Sequence, residues 1–391
     1  MTHKHIALVA VSTILIAGAL TGCGSSSSSS PATQSATSAA SATPSSGGSG
    51  GGANAAALQT DKAMVAKYST AQPPITVPAL PQKAPTGKTL ALVTCPLPAC
   101  SSVTTASAAA AKTLGWKVDT FNSQLTPQGY QAAWQEAVQA HPTALSVVAV
   151  TPDATVSKYV DEVAKAGIPW NEIAPAGDRP SANGPLKASY NGYPEFLESG
   201  QLMGDVVAAA SNGTAQAVVV EDPSLSPILG PVVDGFTTQL KAAGGSVTEL
   251  PVSAANTGKT IPGQVVSFLQ SHPSMKYVAF ELSDLDAGVA PAIKAAGLSG
   301  IRIVSRAPQA SNLAAVKDGT EFAEVGEEDI CNGYRAVDGL LRDMEGVPLG
   351  TFATEPTGWH EIFTAADVTE TTSAPQTPGC PSAFLKAWHA G

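Results

Sequence analysis

Two aspartates occupy equivalent places in two similar stretches of the sequence. Asp153 and Asp284 each follow a His-Pro dipeptide and a run rich in small and β-branched residues, at the same offset in both stretches. Each aspartate should lie beyond the carboxyl end of a strand, where open parallel sheets bind ligands. Because Asp is also among the best helix N-cap residues, each could simply cap the helix that follows it. The repeat indicates two similar half-folds with a cleft between them.

Two further charged groups follow predicted strands. Arg306 comes directly after the β-branched run 301–305, where its guanidinium could hold a ligand carboxylate or vicinal hydroxyls through paired hydrogen bonds. A plain surface arginine is the alternative. Glu327 begins the acidic run Glu327-Glu328-Asp329, which by composition alone is typical of a solvated turn.

The patterns of catalysis and metal binding are missing from the sequence. The histidines after the N-terminal segment show no HxxxH or Cys-His spacing, and no GxSxG motif is present. Both GKT triplets lack the glycine that a phosphate-binding loop needs five residues earlier. We therefore expect no catalytic residue, no metal site and no cofactor, and the chain is predicted not to be an enzyme. A secreted hydrolase, the opposing hypothesis, would turn over its ligand.

Alternating strands and helices must position these residues. Strands are predicted at 89–95, 116–121, 145–151, 169–173, 215–221, 246–252, 277–281, 301–304, 322–325 and 361–364, with helices between most of them. Helix 287–296 ends at Gly297, a residue that adopts the left-handed conformation readily. The alternation predicts an α/β fold of two doubly wound, Rossmann-like lobes joined by a hinge. The expected boundaries are 87–190 for the first lobe, 191–325 for the second, and 326–391 for a hinge recrossing with a C-terminal helix and a tail packed on the first lobe.

The N-terminus has the features of an export signal. Lys4 precedes an apolar run at 6–20, and the tetrapeptide Leu-Thr-Gly-Cys ends at Cys23. This resembles the bacterial lipoprotein signal, with residues 1–22 removed and Cys23 acylated, whereas an ordinary secretory peptide is the alternative. Residues 23–86 are predicted to form a lipid-anchored, disordered tether that is rich in Ser, Gly and Ala up to about residue 54 and includes a short helix at 55–68 and a Pro-rich run. The predicted location is extracytoplasmic, anchored to the cell membrane by the lipidated cysteine.

Four cysteines remain beyond Cys23. An exported chain meets oxidising conditions, so pairing is the default, and three pairings are possible. Proximity in sequence favours Cys95 with Cys100 and Cys331 with Cys380. A redox-active pair at Cys95 and Cys100 is a further alternative, although their spacing is not CxxC.

The composition excludes some partners. A formal net charge of −10 argues against nucleic acid, whose binding depends on Lys and Arg. With 43% hydrophobic residues in a chain of 391, a large core can form. We expect no nucleic-acid partner and a monomeric protein.

Several short motifs then occur in an order typical of one family. They are GIP at 167–169, DGF at 234–236, SDLDAG at 283–288 and the stretch KDGTEFAEVGEEDICNGYRAVDGLL from Lys317. With these motifs, residues 88–368 resemble a type I periplasmic binding protein of the ribose and galactose class, the solute-binding component of an ABC importer. The resemblance implies capture of a small polar molecule, a sugar or sugar-like solute, and its delivery to an ABC permease subunit. A receptor lipoprotein that presents its ligand to a signalling partner is the alternative.

The resemblance also implies which residues bind the ligand. Glu327 falls where the family places a hinge residue that bonds the ligand. The other expected ligand-binding residues are Ser189, Asp178 and Arg179 on the side of the first lobe and Ser283, Asp284 and Arg306 on the side of the second. Two features depart from the sugar-binding pattern: the loop 95–101 lacks the aromatic pair that stacks on sugar rings, and Val232 stands where many members have Arg.

Overall fold

Two separate sheets form the framework of the protein. A computed structural model describes residues 49–149, 151–176, 186–349 and 359–390, which fall within a single compact unit. The predicted signal segment, Cys23, most of the tether, Asp178 and Arg179 lie outside the described residues. None of the described helices is both long enough and apolar enough to cross a membrane.

The helices and strands alternate along most of the chain. The described helices are α1 (Ser49–Tyr68), α2 (Pro98–Thr113), α3 (Pro127–Gln139), α4 (Ser157–Ala166), α5 (Tyr193–Ser211), α6 (Ser226–Ala243), α7 (Ile261–Ser271), α8 (Val289–Ala295), α9 (Ala310–Asp318), α10 (Asp329–Met344) and α11 (Cys380–Ala387). The described strands are β1 (Thr89–Thr94), β2 (Lys117–Asn122), β3 (Ala144–Val148), β4 (Trp170–Ile173), β5 (Ser189–Tyr190), β6 (Gln216–Glu221), β7 (Ser246–Pro251), β8 (Tyr277–Phe280), β9 (Arg302–Arg306), β10 (Ala323–Gly326) and β11 (Glu361–Phe363).

The first lobe is built on a parallel sheet in the order β2-β1-β3-β4-β5. Successive side chains of a strand point to opposite faces, so both faces of a central strand can be buried under helices. In β1, Leu90 and Leu92 pack in the core under α2, α10 and α11, whereas Ala91 and Val93 pack in the core under α3 and α4. This continuous burial explains why β1 reads as an unbroken apolar run.

The second lobe is built on a sheet in the order β11-β10-β9-β8-β6-β7. Its strands are parallel except β11, which runs antiparallel to β10 at the edge. Helices α5 and α6 pack closely together, and α1 packs on both. A Cβ at Gly204 would lie 2.7 Å from Cβ of Gln239, so the glycine permits this close approach of α5 and α6.

The chain passes between the lobes more than once. It leaves the first sheet after β5 to form α5, which contacts β9 and β10 of the second lobe. It returns after β10 as α10, which packs on α2 and on β3, β4 and β5. Strand β11 then joins the second sheet, and α11 packs on α10 of the first lobe.

The predicted fold class, two doubly wound α/β lobes, is confirmed by these two mostly parallel sheets. Several predicted helix starts are wrong, among them those of α1 and α8. Helix α1 begins at Ser49 rather than at residue 55, within the stretch predicted to be tether. Helix α8 begins at Val289 rather than at residue 287, because Gly288 has a φ of 82° and a separate turn of 3₁₀ helix, Ser283–Asp286, precedes it.

Candidate functional site

A cavity lies between the two lobes at the carboxyl ends of their strands. The first lobe contributes the loop after β1, the start of α2 and the ends of β3 and β4, and the second contributes α5, α6 and the ends of β8 and β9. About 80 Å³ is open to the centres of water molecules, several times the roughly 10–15 Å³ that one water requires. Open parallel sheets bind ligands at this position.

The wall of the cavity is mainly apolar. Both lobes contribute hydrophobic side chains: Leu97, Val103, Leu125, Val148, Ile173, Phe196, Leu225, Ile228, Leu229 and Leu282. Among the described residues, only Asn191, Arg306 and Asp329 bring polar side chains to the wall. Aliphatic groups therefore cover most of the surface that a bound molecule would contact.

Arg306 and Glu327, both expected from the sequence to bind ligand, are paired with each other. Nε and one terminal nitrogen of Arg306 donate to the two carboxylate oxygens of Glu327, and the two side chains are 2% and 1% exposed. Asn191 donates from Nδ2 to the same carboxylate over 3.3 Å, and the guanidinium lies 4.7 Å from the ring centroid of Phe196. The pair is thus a nearly neutral unit, and only Arg306 reaches the cavity wall.

The pairing follows from the sheet. Strands β9 and β10 are neighbours, and Arg306 lies in register with Val325. Glu327 follows β10 directly, so the ends of the two strands bring both side chains to the same edge. Removing one partner of such a buried ion pair leaves an unpaired buried charge, which typically costs about 3–5 kcal/mol. Loss of either partner alone is therefore expected to destabilise the second lobe at this edge.

Asp284 connects the two lobes. Its carboxylate accepts a hydrogen bond from the backbone N–H of Ala99 over 3.1 Å. Asp284 belongs to the second lobe, whereas Ala99 lies in the first turn of α2 in the first lobe. Burial raises the pKa of Asp284 to about 6, and the bond from Ala99 opposes that rise. Leu97, at the N-cap of α2, offers that helix no side-chain cap. Asp284 thus binds the start of a helix in the opposite lobe and not of the helix that follows it in sequence.

A second hydrogen bond crosses between the lobes nearby. Ser102 Oγ of α2 donates to Gln309 Oε1 over 2.7 Å, and Gln309 stands at the start of α9 in the second lobe. Ser283, beside Asp284, donates to the carbonyl of Ala307 over 2.8 Å, a bond within the second lobe. The contacts of Asp284 and Ser102 hold the lobes together at the side of the cavity.

Asp329 is a cavity residue that the sequence did not identify. It is the first residue of α10, it is buried, and no hydrogen bond from a described residue ends on its carboxylate. Burial and the nearby charge of Glu327 raise the pKa of Asp329 to about 7, whereas Arg306 lowers it. The acidic run is buried throughout, and Glu328 pairs with Arg335 over 2.7 Å, so the interpretation of a solvated turn is wrong.

The remaining predicted binding residues lie elsewhere. Ser189 is in the edge strand β5, and it is absent from the described wall of the cavity. The roles of Asp178, Arg179 and Cys23 stay predictions because these residues lie outside the described part of the chain. Apart from the loop after β1 and the polar residues Asn191, Arg306 and Asp329, the described wall is formed by apolar side chains that have no signal in the sequence distinguishing them from core residues.

Both cysteine pairs favoured by sequence proximity are present. Cys95 and Cys100 are bonded, with Cα atoms 5.6 Å apart, and both line the cavity. Cys331 and Cys380 are bonded with Cα atoms 5.8 Å apart, which joins α10 to α11. The first disulfide shapes a wall of the cavity, and the second ties the C-terminal helix to the first lobe.

Three buried carboxylates outside the cavity could hold a metal ion. Asp286, Glu321 and Glu324 each place an oxygen within 4.8 Å of the others. Asn312 donates to both oxygens of Asp286 over 3.2 Å, and burial raises the pKa of Asp286 and Glu324 well above the usual range. The cluster is formed by the turn after β8 and by residues before and within β10, and none of its three residues belongs to the described cavity wall.

Comparisons with known proteins agree with this arrangement. A family model described as a periplasmic binding protein domain matches residues 100–345. No curated protein sequence matches the chain.

Solved structures share the fold at low sequence identity. A glucose-galactose binding protein from Geobacillus stearothermophilus is 19% identical, with a TM-score of 0.59 over 72% of this chain and 99% of that one. An ABC transporter solute binding protein from Agrobacterium vitis with bound allitol is 17% identical, with a TM-score of 0.61 over 72% of this chain and 97% of that one. The arabinose binding protein AraP from Geobacillus stearothermophilus is 14% identical, with a TM-score of 0.58 over 73% of this chain and 98% of that one.

The matched segment covers more than half of the 391 residues, and the cavity lies between two doubly wound lobes where such folds bind their ligands. The chain belongs to the family of periplasmic binding protein domains.

Proposed function

We propose that the chain is an extracytoplasmic solute-binding protein that captures a small molecule between its lobes and delivers it to an ABC permease. One observation carries this proposal: both lobes build the wall of one cavity, and beside it the lobes are joined by a hydrogen bond that Asp284 accepts from Ala99 and one that Ser102 donates to Gln309. The family model and the similarity to solute-binding proteins support it.

Binding is coupled to closure of the lobes. A molecule in the cavity touches both walls only when the lobes are together, so it binds the closed state more tightly than the open one. Only such a difference in affinity can shift the equilibrium between the two states. The permease would recognise the closed form because closure fixes the relative positions of surfaces on the two lobes.

The protein acts without chemical conversion of its ligand. In the described part of the cavity wall no hydroxyl, imidazole or amine side chain is present, and both cysteines are in a disulfide. Asp329 alone offers a group that could exchange a proton there, and the wall pairs it with no nucleophile. Release of the unchanged solute is the expected end of the cycle.

Attachment to the membrane is part of the proposal. The motif that ends at Cys23 supports acylation of that residue, which would hold the protein at the outer surface of the cell membrane. Helix α1, which packs on α5 and α6, would then join the anchored segment to the second lobe.

Uptake by cells tests this function. Equilibrium dialysis of the protein against the small molecules of its host's growth medium, read by mass spectrometry, should enrich one compound at a one-to-one ratio. Deletion of the gene should abolish uptake of that compound in labelled form, and the wild-type gene should restore it. If deletion leaves uptake unchanged, delivery to a permease is refuted, and a signalling role becomes the better account.

A further inference from the structure

We infer that the ligand has an apolar body, aliphatic or aromatic, with one hydrogen-bond-donating end, an ammonium or a hydroxyl group, and is not a polyhydroxylated sugar. This inference rests on the proposed function and specifies its ligand class. The composition of the cavity wall carries it, together with the acceptors in that wall that receive no hydrogen bond from a described residue.

The apolar walls face each other across the cavity. Leu97 and Val103 of the first lobe lie on one side, and Phe196, Leu225, Ile228 and Leu282 of the second lobe lie on the other. An apolar group held between them loses its contact with water on both sides, which is favourable. A sugar ring in the same place would instead lose water from hydroxyl groups that need new partners.

The cavity offers few partners for several hydroxyls. The backbone N–H groups of Ala149, Ala174 and Ala307 already donate to the carbonyls of Ile173, Tyr190 and Val325. Each buried hydroxyl without a partner would weaken binding by roughly tenfold or more. A molecule with many hydroxyls therefore fits the wall poorly.

Most hydrogen-bond donors of the polar side chains in the wall already bond to other protein groups. Three nitrogens of Arg306 donate to Glu327 and to the carbonyl of Glu281, and Asn191 donates to Glu327. The wall has little left with which to bind an anionic group such as a carboxylate.

Fewer of the hydrogen-bond acceptors in the wall receive a hydrogen bond from a described residue. No hydrogen bond from a described residue ends on the Asp329 carboxylate or on Oδ1 of Asn191. The Arg306–Glu327 pair is close to neutral. Burial raises the pKa of Asp329 to about 7 and that of the neighbouring Asp284 to about 6, and a cationic group of a ligand would favour the ionised form of both carboxyls. Acceptors in an otherwise apolar cavity complement a ligand that donates hydrogen bonds, and most strongly one that carries a positive charge.

A matched set of probes tests the inference on the folded protein. Thermal melting and calorimetry would be measured with phenethylamine, phenethyl alcohol, phenylacetate and galactose, and with hexylamine in place of the aromatic amine. The amines should raise the melting temperature most and the alcohol less, whereas phenylacetate and galactose should leave it unchanged. Ligands that bind only the native state raise its apparent stability, so the size of the rise orders the affinities.

Variants place the binding in the cavity. Asp329→Asn should weaken the binding of phenethylamine by about tenfold or more and that of phenethyl alcohol much less, because the charge of the carboxylate is lost while its shape is kept. Ile228→Ser in the apolar wall should weaken the binding of both probes. The matched control is Asp318→Asn, since Asp318 is exposed at the end of α9 and should leave both affinities unchanged.

Several outcomes would overturn the ligand class. One is a larger rise in melting temperature with galactose than with the amines, and another is no rise with any apolar probe. The third is an equal loss of affinity for the amine and for the alcohol in Asp329→Asn. A failure of the proposed function is distinct: amines would then bind as stated, while deletion of the gene would leave the uptake of the host's enriched compound unchanged.

Discussion

Removal of the Glu327 carboxylate is expected to destabilise the fold strongly. Glu327→Leu would leave the guanidinium of Arg306, a side chain 2% exposed, without its bidentate partner. Its other contacts are a 3.4 Å hydrogen bond to the carbonyl of Glu281 and the ring of Phe196 at 4.7 Å. Neither supplies a counter-charge, and Asp329, whose pKa Arg306 lowers, makes no hydrogen bond to the guanidinium, so the cost should approach that of removing one partner of a buried ion pair, about 3–5 kcal/mol.

That cost is large beside the stability of a folded domain. Domains are typically stable by about 5–15 kcal/mol, so a substantial fraction would be lost. At about 2–4 °C for each kcal/mol, the melting temperature should fall by roughly 6–20 °C. The expected effect is thus easily measured by circular dichroism.

A double-mutant cycle separates the ion pair from other effects. Glu327→Leu, Arg306→Met and the double variant would be melted beside wild type, and the double variant should be more stable than Glu327→Leu because no charge is left unpaired. The control is Glu162→Leu, which removes an exposed pair with Lys158 and should change the stability by at most about 1 kcal/mol. If Glu327→Leu melts within the range of Glu162→Leu, the buried pair does not hold the strand ends as described.

Three further predictions concern other parts of the molecule. Asp284→Ala removes the acceptor of the Ala99 N–H and should favour separated lobes, seen as a larger radius of gyration in small-angle X-ray scattering; scattering equal to wild type would contradict a bridging role. Burial raises the pKa of Glu281 from 4.5 to about 8, so the folded state binds the proton more tightly than the unfolded state does, and stability should fall as the pH rises from about 5 to 9. Glu281→Gln should flatten that decline in thermal melts, and an equally steep decline in the variant would exclude Glu281 as its source. Cys23→Ala should abolish metabolic labelling of the protein with palmitate, and labelling at the wild-type level would refute lipidation at Cys23.

Most of the fold follows from local signals. The apolar run of β1 and the left-handed glycines Gly167 and Gly244, which end α4 and α6, mark elements that the sequence locates closely. The spacing of Cys95 and Cys100 likewise favours their disulfide without knowledge of the fold. Such features depend on residues close together in the chain, which is why the sequence reveals them.

The site depends on long-range geometry. Asp284 was expected at a strand end, but its partner Ala99 belongs to the other lobe and becomes a neighbour only when the lobes come together. Arg306 and Glu327 were both expected to face a ligand, and their mutual pairing requires knowledge that β9 and β10 are adjacent.

The composition of the cavity wall was the least accessible property. The sequence resemblance implied a sugar-like solute, and nothing in it indicated that apolar side chains form most of the described wall. Residues such as Leu225 and Ile228 look like ordinary core residues in the sequence, because apolar side chains in a cavity and in a core have the same pattern. Only the arrangement of the lobes distinguishes the two.

Native mass spectrometry of the protein isolated from its host tests the central claim most directly. The account predicts that wild type carries one small molecule per chain. Val148→Phe, which places a ring in the buried cavity wall, should carry none while circular dichroism shows that the variant is folded. A wild-type protein free of any bound molecule after exposure to growth medium, or a Val148→Phe variant that carries the molecule as wild type does, would contradict binding between the lobes.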